Sequence, residues 1–298
     1  MMPRLDFKGI AATTVQKLDE GSYEVDEVSY DLKVNIEYMK EHTIHYASES
    51  ELSAWSSNAH EPHLDNSTTE ISALEISVLE GARALAATLA SVPETSRTRI
   101  GVLNFASAKK PGGGFLTGAQ AQEESIARSS TLYPSLTTNT AQQFYKSHKA
   151  NPNGGYYSHA MIYSPKVLFI RNDKGDWQEP LEVDILTSPA VNAGLVRRNV
   201  RDSGKSDQNE SGIEATMKER MGRLLYLFKK QGVRNLVLGS FGTGVFRNKV
   251  ELVVNIWKEL LVGEEARFKD SFDRIVFAVL GTATFRIFDE VFNNKSSG

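Results

Sequence analysis

Two adjacent carboxylates, Glu123 and Glu124, preceded by Gln122, follow closely on a run of three glycines, Gly112-Gly113-Gly114. A carboxyl group can move protons. A glycine run, lacking Cβ atoms, can adopt positive φ and aim successive N–H groups at an anion such as a pyrophosphate. Carboxylates beside such a loop repel its ligand, so a chain that keeps both together needs an acid or base there. A second glycine-rich turn, Gly239-Ser240-Phe241-Gly242-Thr243-Gly244-Val245-Phe246, follows another short apolar run.

The elements that must position these loops read as alternating strands and helices. Apolar strands are expected at Ile100 to Phe105, Lys166 to Ile170, Val183 to Leu186, Leu236 to Leu238 and Ile275 to Leu280, and Tyr23 to Tyr46 reads as strand-rich by its period of two. Helices are expected at Leu5 to Leu18, Thr69 to Leu89, Ile213 to Lys230, Lys249 to Leu261 and Thr284 to Phe292. Strands separated by such helices imply a mixed sheet covered on both faces, with one α/β core over residues 96–298 and an N-terminal extension over 1–95 packed on it as one structural unit. Arg197 to Gly212, charged and rich in Ser, Asp and Gly, reads as a mobile surface loop.

Both glycine turns follow strands. In open α/β sheets ligands sit beyond the carboxyl ends of strands, so the two loops could clamp one pyrophosphate, and the second loop would open a helix whose N-terminus favours an anion. A dinucleotide fingerprint is not met, because the glycine spacing is reversed and no acidic ribose-binding residue follows at the required distance. A Walker loop fails too, since no Gly-Lys-Ser/Thr follows either turn.

Taken together, Asn104-Phe-Ala, Pro-Gly-Gly-Gly-Phe115, Gln122-Glu-Glu and Gly239-Ser-Phe-Gly-Thr-Gly-Val-Phe246 resemble the microbial-type poly(ADP-ribose) glycohydrolases over about residues 1 to 292. The resemblance implies a macrodomain-like three-layer α/β/α sandwich with a mixed sheet and an N-terminal extension. It implies a metal-independent glycosidase without cofactor that cuts ribose–ribose O-glycosidic bonds of poly(ADP-ribose) and releases ADP-ribose. By similarity Glu124 protonates the leaving ribose oxygen and then activates water, Glu123 binds ribose hydroxyls, and Gln122 orders the loop. Asn104 would contact the distal ribose, with Gly112, Gly113 and Gly114 around it. Ser240 and the N–H groups of Gly242, Thr243, Gly244, Val245 and Phe246 would hold the diphosphate, Val245 and Phe246 pressing the ribose toward Glu124. Phe285 could stack on adenine, although it shares an apolar face with Phe288 and Phe292.

Adjacent glutamates on a helix diverge by about 100°, so they should not face each other as a dyad. The Glu123 charge and the diphosphate should raise the pKa of Glu124. Asn192, in Pro189-Ala190-Val191-Asn192, stands where the family has an Ala-Pro-Asn-like stretch, which leaves its role open. Alternatives are a mono-ADP-ribosyl-protein hydrolase, a non-catalytic ADP-ribose reader, and a metal-dependent hydrolase of nucleotide sugars.

Composition narrows the partners. A net charge of −3, from 34 Lys plus Arg against 37 Asp plus Glu, gives no field for duplex nucleic acid, so the expected partners are poly(ADP-ribose) and ADP-ribosylated proteins. With no cysteine, disulfides, thiolate nucleophiles and Fe–S clusters are excluded. The close pairs His42/His45 and His60/His63 lack an evident third ligand, so no metal site is expected. No apolar leader or membrane-length stretch is visible, which leads us to expect an intracellular monomer. Trp55, Trp177 and Trp257 are assigned to packing.

Overall fold

The structure, a computed structural model, describes residues 5–57, 68–91, 93, 98–201 and 206–293. His60 and His63 lie outside them. Among the described residues no helix is long and apolar enough to cross a membrane. The chain forms a mixed sheet of seven strands between two helical layers. In chain order its strands are β3 (Ile44–Tyr46), β4 (Glu70–Leu74), β5 (Ile100–Phe105), β6 (Met161–Arg171), β7 (Trp177–Ser188), β8 (Asn235–Leu238) and β9 (Arg274–Ala278), laid out as β3-β6-β7-β5-β8-β9-β4. The five from β7 to β4 are parallel, and β6 and β3 run antiparallel at one edge. β1 (Ser22–Val25) and β2 (Val28–Asp31) form a separate hairpin.

The central strands are continuous apolar runs because both faces are covered. Leu103, Leu236, Leu238, Ile275 and Phe277 face one core, while Ile100, Val102, Val237 and Val276 face the other. The first core packs α8 (Ser206–Lys230), α9 (Val250–Leu261) and α10 (Thr282–Phe292), with Trp257 buried in it. The second packs α3 (Val78–Ala90), α4 (Gln122–Arg128), α5 (Leu132–Leu136) and α6 (Asn139–Ala150). The segment before residue 96 supplies both edge strands, β3 and β4, as well as α3.

Three sequence expectations change. Residues 70–74, expected as the start of a helix, are strand β4, whose Ile71 and Ala73 face the core beside β9. The helix begins only at Val78, where Ser77 and Glu80 form a capping box. Ser77 Oγ also donates to Asp173 Oδ2 at 2.5 Å, tying α3 to the β6–β7 turn. Ser77→Ala should therefore lower unfolding free energy by about 1–2 kcal/mol, read from the urea midpoint, and an unchanged midpoint would contradict the cap.

Val34, Ile36 and Tyr38, read as strand, lie in α2 (Lys33–Glu41), which starts where Asp31 Oδ1 accepts from Lys33 N at 2.7 Å. Much of Arg197 to Gly212 is helix rather than loop: α7 (Ala193–Arg201) and the start of α8. Arg197 holds the two together, pairing with Glu210 at 2.6 Å and donating to Arg247 O at 2.7 Å. The opening helix α1 (Phe7–Glu20) ends at Gly21 in the left-handed conformation and docks on α4, where Thr14 Oγ1 donates to Arg128 O at 2.7 Å.

Candidate active site

Strand β5 delivers the chain to the site. Gln122, the first residue of α4, fixes the geometry by using its side-chain amide as a strand mimic. Its Oε1 accepts from Phe105 N at 2.8 Å and its Nε2 donates to Leu103 O at 2.7 Å. The loop between them is thereby closed, and its N–H groups turn on the two glutamates. Ser107 N donates to Glu123 Oε2 at 2.6 Å, Gly112 N supports the same carboxyl, and Gly114 N donates to Glu124 Oε1 at 2.9 Å. Gly112 and Gly113 take positive φ, 66° and 60°.

The first glycine loop is thus a cradle for carboxylates and not the phosphate loop its composition suggested. Its remaining N–H, that of Gly113, is taken by Lys110 O. The adjacent glutamates also behave differently from the expectation that they diverge. A Cβ at Gly113 would overlap Glu124 Oε1 and sit 2.9 Å from Glu123 Oε2, so both carboxyls reach the same point. Long side chains held by different N–H donors overcome the helical angle between their Cα atoms.

Glu123 is 2% exposed and Glu124 9%, and both line a cleft of about 750 Å³. Glu124 Oε2 and Glu123 Oε1 are buried without a hydrogen-bond partner among the described residues. Burial pushes the Glu123 carboxyl well above the usual carboxylate range; Ser107 N–H opposes the rise and the Glu124 carboxyl adds to it. Glu123 is therefore a residue the structure marks for an upward shift. A carboxyl that stays protonated when folded but ionises when unfolded above about pH 4.3 makes stability fall as pH rises. Glu123→Gln should remove that loss, so its melting temperature relative to the wild type should climb as pH rises above about 4; a flat difference would contradict the assignment.

The second loop follows β8 and faces the carboxylates across the cleft. Ser240, Gly242, Thr243, Gly244, Val245 and Phe246 all line it. The Thr243 N–H closes the turn onto Ser240 O. The N–H groups of Gly242, Gly244, Val245 and Phe246 donate to nothing among the described residues. This loop does not run straight into a helix, for α9 begins only at Val250. Its base is stapled by Asn248, whose Nδ2 donates to Val191 O at 2.8 Å and Gly242 O at 3.0 Å. Sequence reasoning missed Asn248, a lone asparagine whose role exists only once three segments meet.

Other expected residues fall as follows. Asn104 is fully buried, donates to Thr187 Oγ1 at 3.1 Å and hydrogen-bonds the Glu123 carboxyl, so it supports the site from beneath the cleft and does not line it. Gly112 lies under the cleft against Phe115 and Ala127. Phe285 packs on the core, and α10 presents Thr284 to the cleft instead. Phe246 both lines the cleft and packs on the core, 6.0 Å from the Tyr157 ring. Asn192 caps α7, accepting from Leu195 N at 3.0 Å. Val245 and Leu280 are exposed apolar side chains of the cleft, suited to the flat face of a base. Among the described residues no three His, Asp or Glu side chains gather into a metal-binding group.

The model of the microbial-type PARG catalytic domain, PARG being poly(ADP-ribose) glycohydrolase, matches residues 11–172, more than half of the chain and the part that carries both glutamates. The chain belongs to the microbial-type poly(ADP-ribose) glycohydrolase family. Solved structures agree with this assignment along nearly the whole length. Poly(ADP-ribose) glycohydrolase from Thermomonospora curvata is 34% identical, covers 96% of this chain and 99% of its own, and superposes with a TM-score of 0.83. The same enzyme bound to the inhibitor ADP-HPD gives 34% identity, 95% and 98% coverage and a TM-score of 0.79. The Deinococcus radiodurans enzyme in complex with ADP-ribose gives 32%, 87% and 98%, and 0.73. Among curated proteins nothing matches at comparable significance. The macrodomain-like sandwich read from the sequence is the fold of these glycohydrolases.

Proposed function

We propose that this glycohydrolase cuts the ribose–ribose bond of poly(ADP-ribose) with Glu124 as both acid and base. The observation that carries this reading is the placement of Glu124. Its Oε1 is fixed by Gly114 N, and its Oε2 is unpartnered in a cleft whose opposite wall offers four free N–H donors. A diphosphate on those donors sets the distal ribose over the carboxyl. Glu124 gives its proton to the bridging oxygen as the bond from the anomeric carbon breaks through an oxocarbenium-like state. Water then attacks that carbon and returns a proton to Glu124, so the acid is regenerated and ADP-ribose leaves. Glu123, whose burial favours the neutral form, accepts from or donates to ribose hydroxyls. Asn104 supports the Glu123 carboxyl from below, and Gln122 fixes the loop whose N–H groups hold both carboxyls.

We further propose that the protein works as an intracellular monomer on polymer chains, free or protein-bound. The test is incubation of purified protein with poly(ADP-ribose) in EDTA. ADP-ribose should accumulate. Polymer that binds but stays intact would make the protein a reader, and activity lost to EDTA would require a metal.

A further inference from the structure

Arg220, on α8, is fully buried, yet its guanidinium contacts no carboxylate among the described residues. Its partners are all main-chain oxygens: Nη1 donates to Pro189 O at 3.0 Å, and Nη2 to Tyr156 O at 2.9 Å, Ser158 O at 3.1 Å and Tyr157 O at 3.4 Å. The carboxylate of the adjacent Glu219 is already taken by Arg223 at 2.7 Å and by Trp55 Nε1 at 2.8 Å. Arg223 is a second cation, and burial brings His148 down to about 4 and His159 down to about 3, so both are neutral. A buried charge without a counter-charge is costly, and its persistence asks where the compensating charge comes from.

The carbonyls it holds belong to the shelf behind the second glycine loop. Gly242 packs so tightly on Ala190 that a Cβ there would overlap the Ala190 methyl group. Phe246 rests near Tyr157, and Asn248 ties Val191 O to Gly242 O. The Pro189–Ala190 peptide is trans, so its N–H points opposite to the carbonyl that Arg220 grips. That Ala190 N–H donates to no group among the described residues, and Ala190 lines the cleft.

We propose that Arg220 is a positioning residue for the anion site and that its missing counter-charge is the diphosphate of the ligand. The guanidinium fixes the shelf, places positive potential behind the free N–H groups of the loop, and orients Ala190 N–H as a further donor. This rests on the loop binding a diphosphate, as proposed above.

The test is calorimetric binding of ADP-ribose, inorganic pyrophosphate and adenosine to wild type, Arg220→Met and Arg220→Lys, with melting curves to follow the fold. Arg220→Met should weaken ADP-ribose and pyrophosphate about tenfold or more, equivalent to about 1.4 kcal/mol, and leave adenosine within about twofold. On poly(ADP-ribose) its KM should rise while kcat holds, because the diphosphate lies away from the bond that is cut. Arg220→Lys, which keeps the charge but loses the fork that grips Pro189 O and Tyr156 O, should recover pyrophosphate binding only in part, to an affinity between those of wild type and Arg220→Met. Equal weakening of ADP-ribose and adenosine, or none, overturns the proposal. If Arg220→Met does not fold, Arg220→Lys decides by the same comparison, a weakening confined to ADP-ribose and pyrophosphate supporting the proposal and an equal weakening of adenosine, or none at all, overturning it. If the wild type binds neither ADP-ribose nor pyrophosphate, the loop reading itself fails and Arg220 loses its role with it.

Discussion

Glu124→Gln should cut poly(ADP-ribose) hydrolysis by about 10³-fold or more, about 4 kcal/mol of transition-state stabilisation, while ADP-ribose binds within about threefold of wild type. The substitution is nearly isosteric. A glutamine carbonyl can still accept the Gly114 N–H that orients Glu124 Oε1, so the cradle and the cleft survive. What disappears is a group that can hand over a proton and take one back. Rate and affinity should therefore separate, with kcat collapsing and ligand binding retained. Equal turnover by wild type and variant would remove Glu124 from the chemistry.

Gly113→Ala carries the second large effect and tests the cradle rather than the acid. Gly113 sits at φ 60°, where a Cβ is already strained, and the added methyl would meet Glu124 Oε1 and Glu123 Oε2 together. Neither carboxyl can yield without leaving its N–H donor. Displacement of a reacting group by about 1 Å costs about 10²-fold in rate, so kcat/KM should fall at least that far. Stability should fall by more than about 1 kcal/mol as well, since alanine is incompatible with the native φ. Activity within about twofold of wild type would show that the carboxyls do not converge over this glycine.

The sequence disclosed the parts of this site that depend on residue type and left hidden those that depend on direction. The glycine run, the paired glutamates and the second loop were all visible, because few other residues can do what they do. That the second loop holds the diphosphate came only from the family resemblance, since by composition both loops can supply N–H groups. The proposed assignment is supported by Ser107 and Gly114 turning their N–H groups onto the carboxylates, while those of Gly242, Gly244, Val245 and Phe246 donate to nothing among the described residues.

The fold shows the same division. β5, β8 and β9, buried on both faces, were legible as apolar runs. β4 was not, because Ile71 and Leu74 happen to extend the helical spacing of α3 backwards, and only pairing with β9 makes them strand. Asn248, Asp173 and Arg220 passed unnoticed as single polar residues. Each acts by joining segments far apart in the chain, as when Arg220 grips Pro189 O and Tyr156 O.

The most direct measurement is a crystal structure of the Glu124→Gln protein with ADP-ribose. Diphosphate oxygens should lie on the N–H groups of residues 242–246, with the anomeric hydroxyl of the distal ribose against the side chain at position 124. A diphosphate lying instead over Gly112–Gly114, or a ribose turned away from position 124, would contradict this placement.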